Sequence, residues 1–194
     1  MNKVFFLGFN KTATCALHEL FLNSGYSSCH ERDGDKHLAK IMHENHIQNK
    51  NVLDTIDQYD VYSDLNYNKE NVFLEGNEFY KELDEQYPNS YFILQFRDVK
   101  SWIESRSNHN NNYIERARKA LKLDTIADVK LHWKKTRHET HKDIKQYFDC
   151  NKRFMTFNIN KDDIYKVINH VKDDYVLDAK HFNKVNVTNY EKNR

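Results

Sequence analysis

One segment near the start of this chain restricts its fold more than any other: Val4-Phe5-Phe6-Leu7-Gly8-Phe9-Asn10-Lys11-Thr12-Ala13-Thr14-Cys15-Ala16-Leu17. An apolar run of strand type passes through a short polar turn into an amphipathic helical pattern, which commits the chain to a strand–turn–helix unit. The first N–H groups of a helix have no partner within it and its dipole is positive there, so such a turn is a ready site for an anion. Lys11 puts a full charge in the turn, and Thr12 and Thr14 add hydroxyl donors. Phosphate or sulfate is the expected guest. The nucleotide-hydrolysing pattern G-x-x-x-x-G-K-[ST] does not fit, because counting from Gly8 puts Ala13 at the second glycine and Thr14 at the lysine. A P-loop kinase is therefore the weakest of three readings.

Further along, Tyr91-Phe92-Ile93-Leu94-Gln95-Phe96-Arg97-Asp98-Val99-Lys100-Ser101-Trp102-Ile103-Glu104-Ser105 reads as a buried strand ending in arginine, a turn, and a helix with a serine eight positions after the arginine. Taken together, the two segments resemble the sulfotransferases that use 3′-phosphoadenosine 5′-phosphosulfate (PAPS). Lys11-Thr12-Ala13-Thr14-Cys15 is similar to their 5′-phosphosulfate loop, K-[ST]-G-T-T, with Ala13 in place of glycine and Cys15 in place of the second threonine. Alanine suits that place only if the loop avoids a left-handed conformation there. Arg97 and Ser105 stand at the spacing with which the family holds the 3′-phosphate. Tyr59-Asp60-Val61-Tyr62-Ser63-Asp64 resembles its second strand. His181-Phe182-Asn183-Lys184-Val185-Asn186 resembles the closing segment of its small soluble members.

The resemblance implies a three-layer, P-loop-like α/β fold in one domain, with a central parallel sheet of about four to five strands flanked by helices. It implies transfer of a sulfonyl group from PAPS to a hydroxyl or amine of a small-molecule or glycan acceptor, leaving adenosine 3′,5′-bisphosphate (PAP) and needing no metal. Asn10, Lys11, Thr12, Ala13, Thr14, Cys15, Arg97, Ser105 and Lys184 then form the cofactor site. Catalysis falls to Lys11 and a base. Asp64 follows the second strand, where cytosolic members carry a catalytic histidine and other branches a carboxylate. A turn-capping role for Asp64 is the alternative, and His30 and Glu31 are the other candidate bases. Many members place a tryptophan for the adenine just after the loop, where this chain has Ala16, so Trp102, Trp133 and Phe182 are the candidates here. The departures at Ala13, Cys15 and Ala16 keep open a second reading, a PAP- or PAPS-binding protein without turnover.

Composition narrows the remaining classes. The chain has 194 residues, which suits one domain, and a formal net charge of +1, which argues against a general nucleic-acid binder. Three scattered cysteines, Cys15, Cys29 and Cys150, make neither a disulfide framework nor a C-x-x-C zinc site, and point to a reducing, cytoplasmic setting. No stretch approaches the roughly 20 apolar residues of a membrane span. His138-Glu139-Thr140-His141 is one residue short of H-E-x-x-H, so a solvated helix face is expected there.

Periodicity predicts a helix from Thr14 to before Gly25, with Leu17, Leu20 and Phe21 on one stripe, and another over Lys36–Gln48. A strand over Asp60–Ser63, a helix over Glu75–Gln86 and a strand over Tyr91–Phe96 follow. A long helix over Ile126–Phe148, a strand over Arg153–Phe157 and a helix over Ile164–Val171 close the pattern, with 175–194 irregular and folding back over the cofactor. Alternating strands and helices build a parallel sheet whose ligands bind beyond the carboxyl ends of the strands. Lys11, Asp64 and Arg97 all stand just after strands.

Overall fold

The computed structural model describes residues 2–69 and 71–183. Nine strands form in chain order: β1 (Val4–Phe6), β2 (Ser28–His30), β3 (Arg32–Asp33), β4 (Lys36–His37), β5 (Val61–Ser63), β6 (Asn66–Lys69), β7 (Val72–Glu75), β8 (Tyr91–Phe96) and β9 (Phe154–Asn158). The helices are α1 (Thr14–Leu22), α2 (Leu38–Ile47), α3 (Tyr80–Gln86), α4 (Val99–Ser107), α5 (Tyr113–Ala120), α6 (Ile126–Tyr147) and α7 (Tyr165–Val171). The main sheet has the order β4-β3-β2-β5-β1-β8-β9, and β6 with β7 makes a separate hairpin. Five strands, β2, β5, β1, β8 and β9, are mutually parallel, and β3 and β4 extend the β2 edge in antiparallel fashion.

The sheet is central because its strands are apolar on both faces, as parallel strands covered by helices must be. Side chains alternate across β1. Phe5 packs with Tyr62, Phe92, Leu94 and residues of α2, α3 and the end of α6. Val4 and Phe6 pack on the opposite face with Leu17, Leu20 and Phe21 of α1 and Val167 and Val171 of α7. The result is a three-layer α/β fold. A third cluster, Phe9, Trp102, Ile103, Tyr113, Ala117, Val129 and Trp133, joins α4, α5 and α6 beside the end of β1. Gly8 makes the exit from β1 possible. Its N–H donates to Gln95 Oε1 at 2.8 Å, and a Cβ there would lie 2.1 Å from the Gln95 carbonyl oxygen.

Several expected boundaries shift. Ser28-Cys29-His30 lacks an apolar run, yet forms a strand between the β5 and β3 positions, so the Asp60–Ser63 segment, observed as Val61–Ser63, is not the second strand of the chain. Helix α2 starts at Leu38, two residues inside the expected span, because Lys36 and His37 pair with β3. The helix expected over Glu75–Gln86 begins with the last residue of β7 and a 3-10 turn at Gly76–Phe79 before α3. The physical cause is close packing at Gly76, where a Cβ would sit 3.1 Å from Met42 Sδ and 3.3 Å from Leu65 Cβ. Helix α5 was not expected. The long helix is as the periodicity predicts, and a capping box at its start pairs the Thr125 and Asp128 side chains with each other's backbone N–H groups. Among the described residues, no helix is long and apolar enough to cross a membrane.

Candidate functional site

A cavity of about 550 Å³ opens at the carboxyl ends of the parallel strands, and the strand order lays out its walls. At one end, β2 delivers His30 and Glu31 and β5 delivers Asp64. In the middle, β1 delivers the loop with Lys11. At the other end, β8 delivers Arg97, β9 leads to Ile159 and Asn160, and Phe182 closes the wall. Helix α4 adds Ser105 beside Arg97's end. The β6–β7 hairpin and the start of α5 form a roof that includes Asn66, Asn68, Lys69, Tyr113 and Arg116.

The loop backbone is specialised. Lys11 has φ 67° and Ala13 has φ 65°, both left-handed, so the condition under which alanine suits this place is not met. Without Cβ-free glycine at these places, each costs on the order of 1–2 kcal/mol. Ala13 is also the N-cap of α1 and offers no side-chain cap, so the first N–H groups of the helix remain available to a ligand. Thr12 does not line the cavity. It is 1% exposed, and its hydroxyl donates to the Phe9 carbonyl at 2.5 Å, which fixes the shape of the turn. Asn10 binds the loop to the roof and to α4. Its Nδ2 donates to Tyr113 OH at 3.2 Å and to Asn66 Oδ1 at 3.4 Å, and its carbonyl accepts from Trp102 Nε1 at 3.0 Å.

Asp64, Thr14, Cys15 and His30 meet at the β5 end of the loop. Thr14 Oγ1 donates to Asp64 Oδ2 at 3.1 Å, His30 Nε2 lies 3.8 Å from the same oxygen and 3.3 Å from Cys15 Sγ, and His30 Nδ1 is 2.9 Å from Ser63 Oγ. Asp64 sits at φ 55° with its side chain 17% exposed. Burial raises its pKa above the ordinary carboxylate value, against the opposing pull of the Thr14 hydrogen bond, Arg106 and Lys11. Burial lowers the pKa of His30, which is therefore neutral at neutral pH. His18 stacks on it at 5.2 Å and is itself held down to about 4, by burial first and by His30 second.

Under the roof lies a buried ion pair absent from the sequence reading. Arg106, 1% exposed, donates to Glu75 and, at 3.3 Å, to Tyr113 OH, while Tyr113 OH donates to Asn66 Oδ1 at 2.7 Å. Aromatic rings surround its guanidinium, with Trp133 at 4.7 Å and Trp102 at 5.1 Å. The two tryptophans are thus core residues, 1% and 0% exposed, and of the three candidates for the adenine only Phe182 lines the cavity. Burial, with Lys11, Arg116 and Arg106 as secondary causes, lowers His109 beside the roof to about 4.

At the other end, Arg97 Nε donates to Ser101 Oγ at 2.9 Å, and Asp98 caps α4 by accepting from Ser101 N at 2.8 Å. Asp98 thus serves the helix rather than pairing with Arg97. Lys184 lies outside the described residues. The long helix does not present both of its paired histidines to solvent. His138 is exposed, but His141 packs on Phe9 at 5.8 Å and Phe96 at 6.1 Å, and burial lowers it to about 3. Among the described residues, no three His, Cys, Asp or Glu side chains are grouped to hold a metal ion. The roof residues were missed in the sequence, although Asn66-Tyr67-Asn68-Lys69, a turn at Asn71 and Val72-Phe73-Leu74 carry a hairpin signal.

Compared with known families, the chain matches a family model described as a sulfotransferase domain over residues 3–182. No curated protein matches it.

Proposed function

The chain belongs to the sulfotransferase family, and from that membership we propose that it transfers a sulfonyl group from PAPS to a hydroxyl or amine. The observation that carries this reading is one cavity in which the strand order separates a Lys11 loop, an Arg97–Ser105 end and an Asp64–His30 end. A nucleotide with phosphates at both ends of its ribose fits that separation. Arg97 and Ser105 would grip the 3′-phosphate, the loop N–H groups at the start of α1 the 5′-phosphosulfate, and Phe182 the adenine. Bound PAPS would supply an activated sulfonyl group on a nucleotide leaving group.

The chain's own residues then divide the work. Lys11 holds positive charge where the leaving oxygen becomes negative, an interaction stronger in the transition state than in the ground state. Thr14 holds the Asp64 carboxylate in place through its hydroxyl. Asp64 takes the acceptor proton, and a raised pKa makes it a stronger base than an exposed aspartate. Neutral His30, 3.8 Å away, is the second candidate for that proton.

Calorimetric titration with PAP tests the donor end. Arg97→Ala should weaken binding by about 1.5–3 kcal/mol, the range for a hydrogen bond to a charged group. Undiminished affinity overturns the 3′-phosphate assignment. Lys11→Ala should reduce turnover more than PAPS binding, and PAPS binding without turnover in wild type would instead favour the non-catalytic reading raised by Cys15 and Ala16.

A further inference from the structure

The acceptor end of the cavity differs in chemistry from the nucleotide end. Ile159 and Phe182, its larger apolar side chains, both belong to the nucleotide end. Tyr113 is 3% exposed and its hydroxyl is engaged with Asn66. Apart from Cys15 and the small side chains of Ala13 and Ala16, the lining on the Asp64 side is polar and includes His30, Glu31 and His37, and the roof adds Lys69 and Arg116. A flat aromatic or steroid-like acceptor would strip water from these groups and offer no hydrogen bonds in return.

The donor reading gives the two roof cations no role. Arg116 Nε donates to the Asn68 carbonyl at 3.0 Å, which places its guanidinium beside Lys69. Successive side chains of a strand alternate in direction. Asn66 and Asn68 turn toward Tyr113, so Tyr67 and Lys69 share the other face, and the Tyr67 ring meets His37 at 5.0 Å. Lys69 therefore lies on the hairpin face that meets His37 and lines the same cavity. Among the described residues, no carboxylate forms an ion pair with Lys69 or Arg116. The nearby Glu115 is committed to Arg118 at 2.9 Å. Asp64 and Glu31 line the same cavity and carry the opposite charge.

We infer that the acceptor is a small, polar molecule carrying an anionic group, carboxylate or sulfate, which Lys69 and Arg116 hold while its reacting hydroxyl or amine points at Asp64. This rests on the sulfonyl-transfer reading above. Repulsion from Asp64 and Glu31 turns the anion away from the base, and attraction to Lys69 and Arg116 draws it toward the roof, so the opposite charges orient the molecule.

Calorimetric titration of methyl glucuronoside against methyl glucoside tests this, because the pair differs only at C6, a carboxylate in one and a hydroxymethyl group in the other. Each is added to the PAP-saturated protein and to the protein alone. The glucuronoside should bind at least about tenfold more tightly, the lower end expected for one charged hydrogen bond. Lys69→Met and Arg116→Gln, with melting curves to verify folding, should each close most of that gap, and a sulfated glucoside should follow the glucuronoside. Equal affinity for acid and neutral sugar, or a gap that survives both substitutions, overturns the inference. The PAP titration is read separately: a protein that prefers the acid but does not bind PAP keeps this inference and loses the donor assignment.

Discussion

Ala13 shows how much a single residue reveals about the loop. At an ordinary helical site, alanine to glycine costs about 1 kcal/mol, but at φ 65° the left-handed penalty on alanine is of the same size and opposite in effect. Ala13→Gly should therefore leave stability unchanged or raise it by up to about 1 kcal/mol in urea unfolding, while Ala13→Val should lower it. A loss of about 1 kcal/mol in the glycine variant would mean the loop does not hold this conformation in solution. Asp64 gives a second test at this scale. As base it must be ionised, so the rate should fall as pH drops through its raised pKa, placing the acid limb above the ordinary aspartate value of 3.8. Asp64→Asn should lower single-turnover transfer by about 10²–10⁴-fold and remove that limb. His30→Gln should keep it. A raised carboxylate pKa also means that the folded state loses stability as pH rises through it, so Asp64→Asn should melt higher than wild type at neutral pH. If Asp64→Asn transfers like wild type, Asp64 is a turn cap and the base is His30 or Glu31.

Among the elements, those with a strong apolar period were legible in the sequence: β1, α1, β8, α6, β9 and α7 stand within a residue or two of their expected spans. Legibility failed where pairing rather than composition made the structure. Ser28-Cys29-His30 is a strand because β5 offers it a parallel partner, Ser28 to Val61 and His30 to Ser63, and nothing in those three side chains announces it. The hairpin of β6 and β7 is written with asparagines because its inner face meets polar atoms, Tyr113 OH and the Tyr113 carbonyl, instead of an apolar layer. Helix α5 runs for only eight residues and buries Tyr113 and Ala117, too narrow a stripe to declare itself. The roof of the site was therefore invisible, while its floor, built by β1, β5 and β8, was placed correctly.

At the scale of the whole molecule, the roof of the cavity rests on the third cluster, whose centre is a charge. Arg106 is caged by aromatic rings and paired with Glu75, which also receives its field while burial raises its pKa. Removing one partner of such a pair leaves the other buried and unpaired, so Arg106→Met should cost about 3–5 kcal/mol in denaturant unfolding. The loss should be smaller in acid, because Glu75 without its cation has a raised folded pKa and the penalty grows as pH rises through it. The double variant Arg106→Met, Glu75→Leu should regain much of the loss. A single variant within about 1 kcal/mol of wild type would show that the pair contributes little to holding the roof. The sequence by itself determined the strand–turn–helix units that carry Lys11 and Arg97 and the alternation that makes a parallel sheet, because each is written in local spacing. Only the tertiary structure decided that Thr12 serves the turn, that both tryptophans are core, that Phe182 lines the cavity and that Lys69 and Arg116 share that cavity with Asp64. Those facts depend on which strand lies next to which, and no spacing along the chain encodes that order.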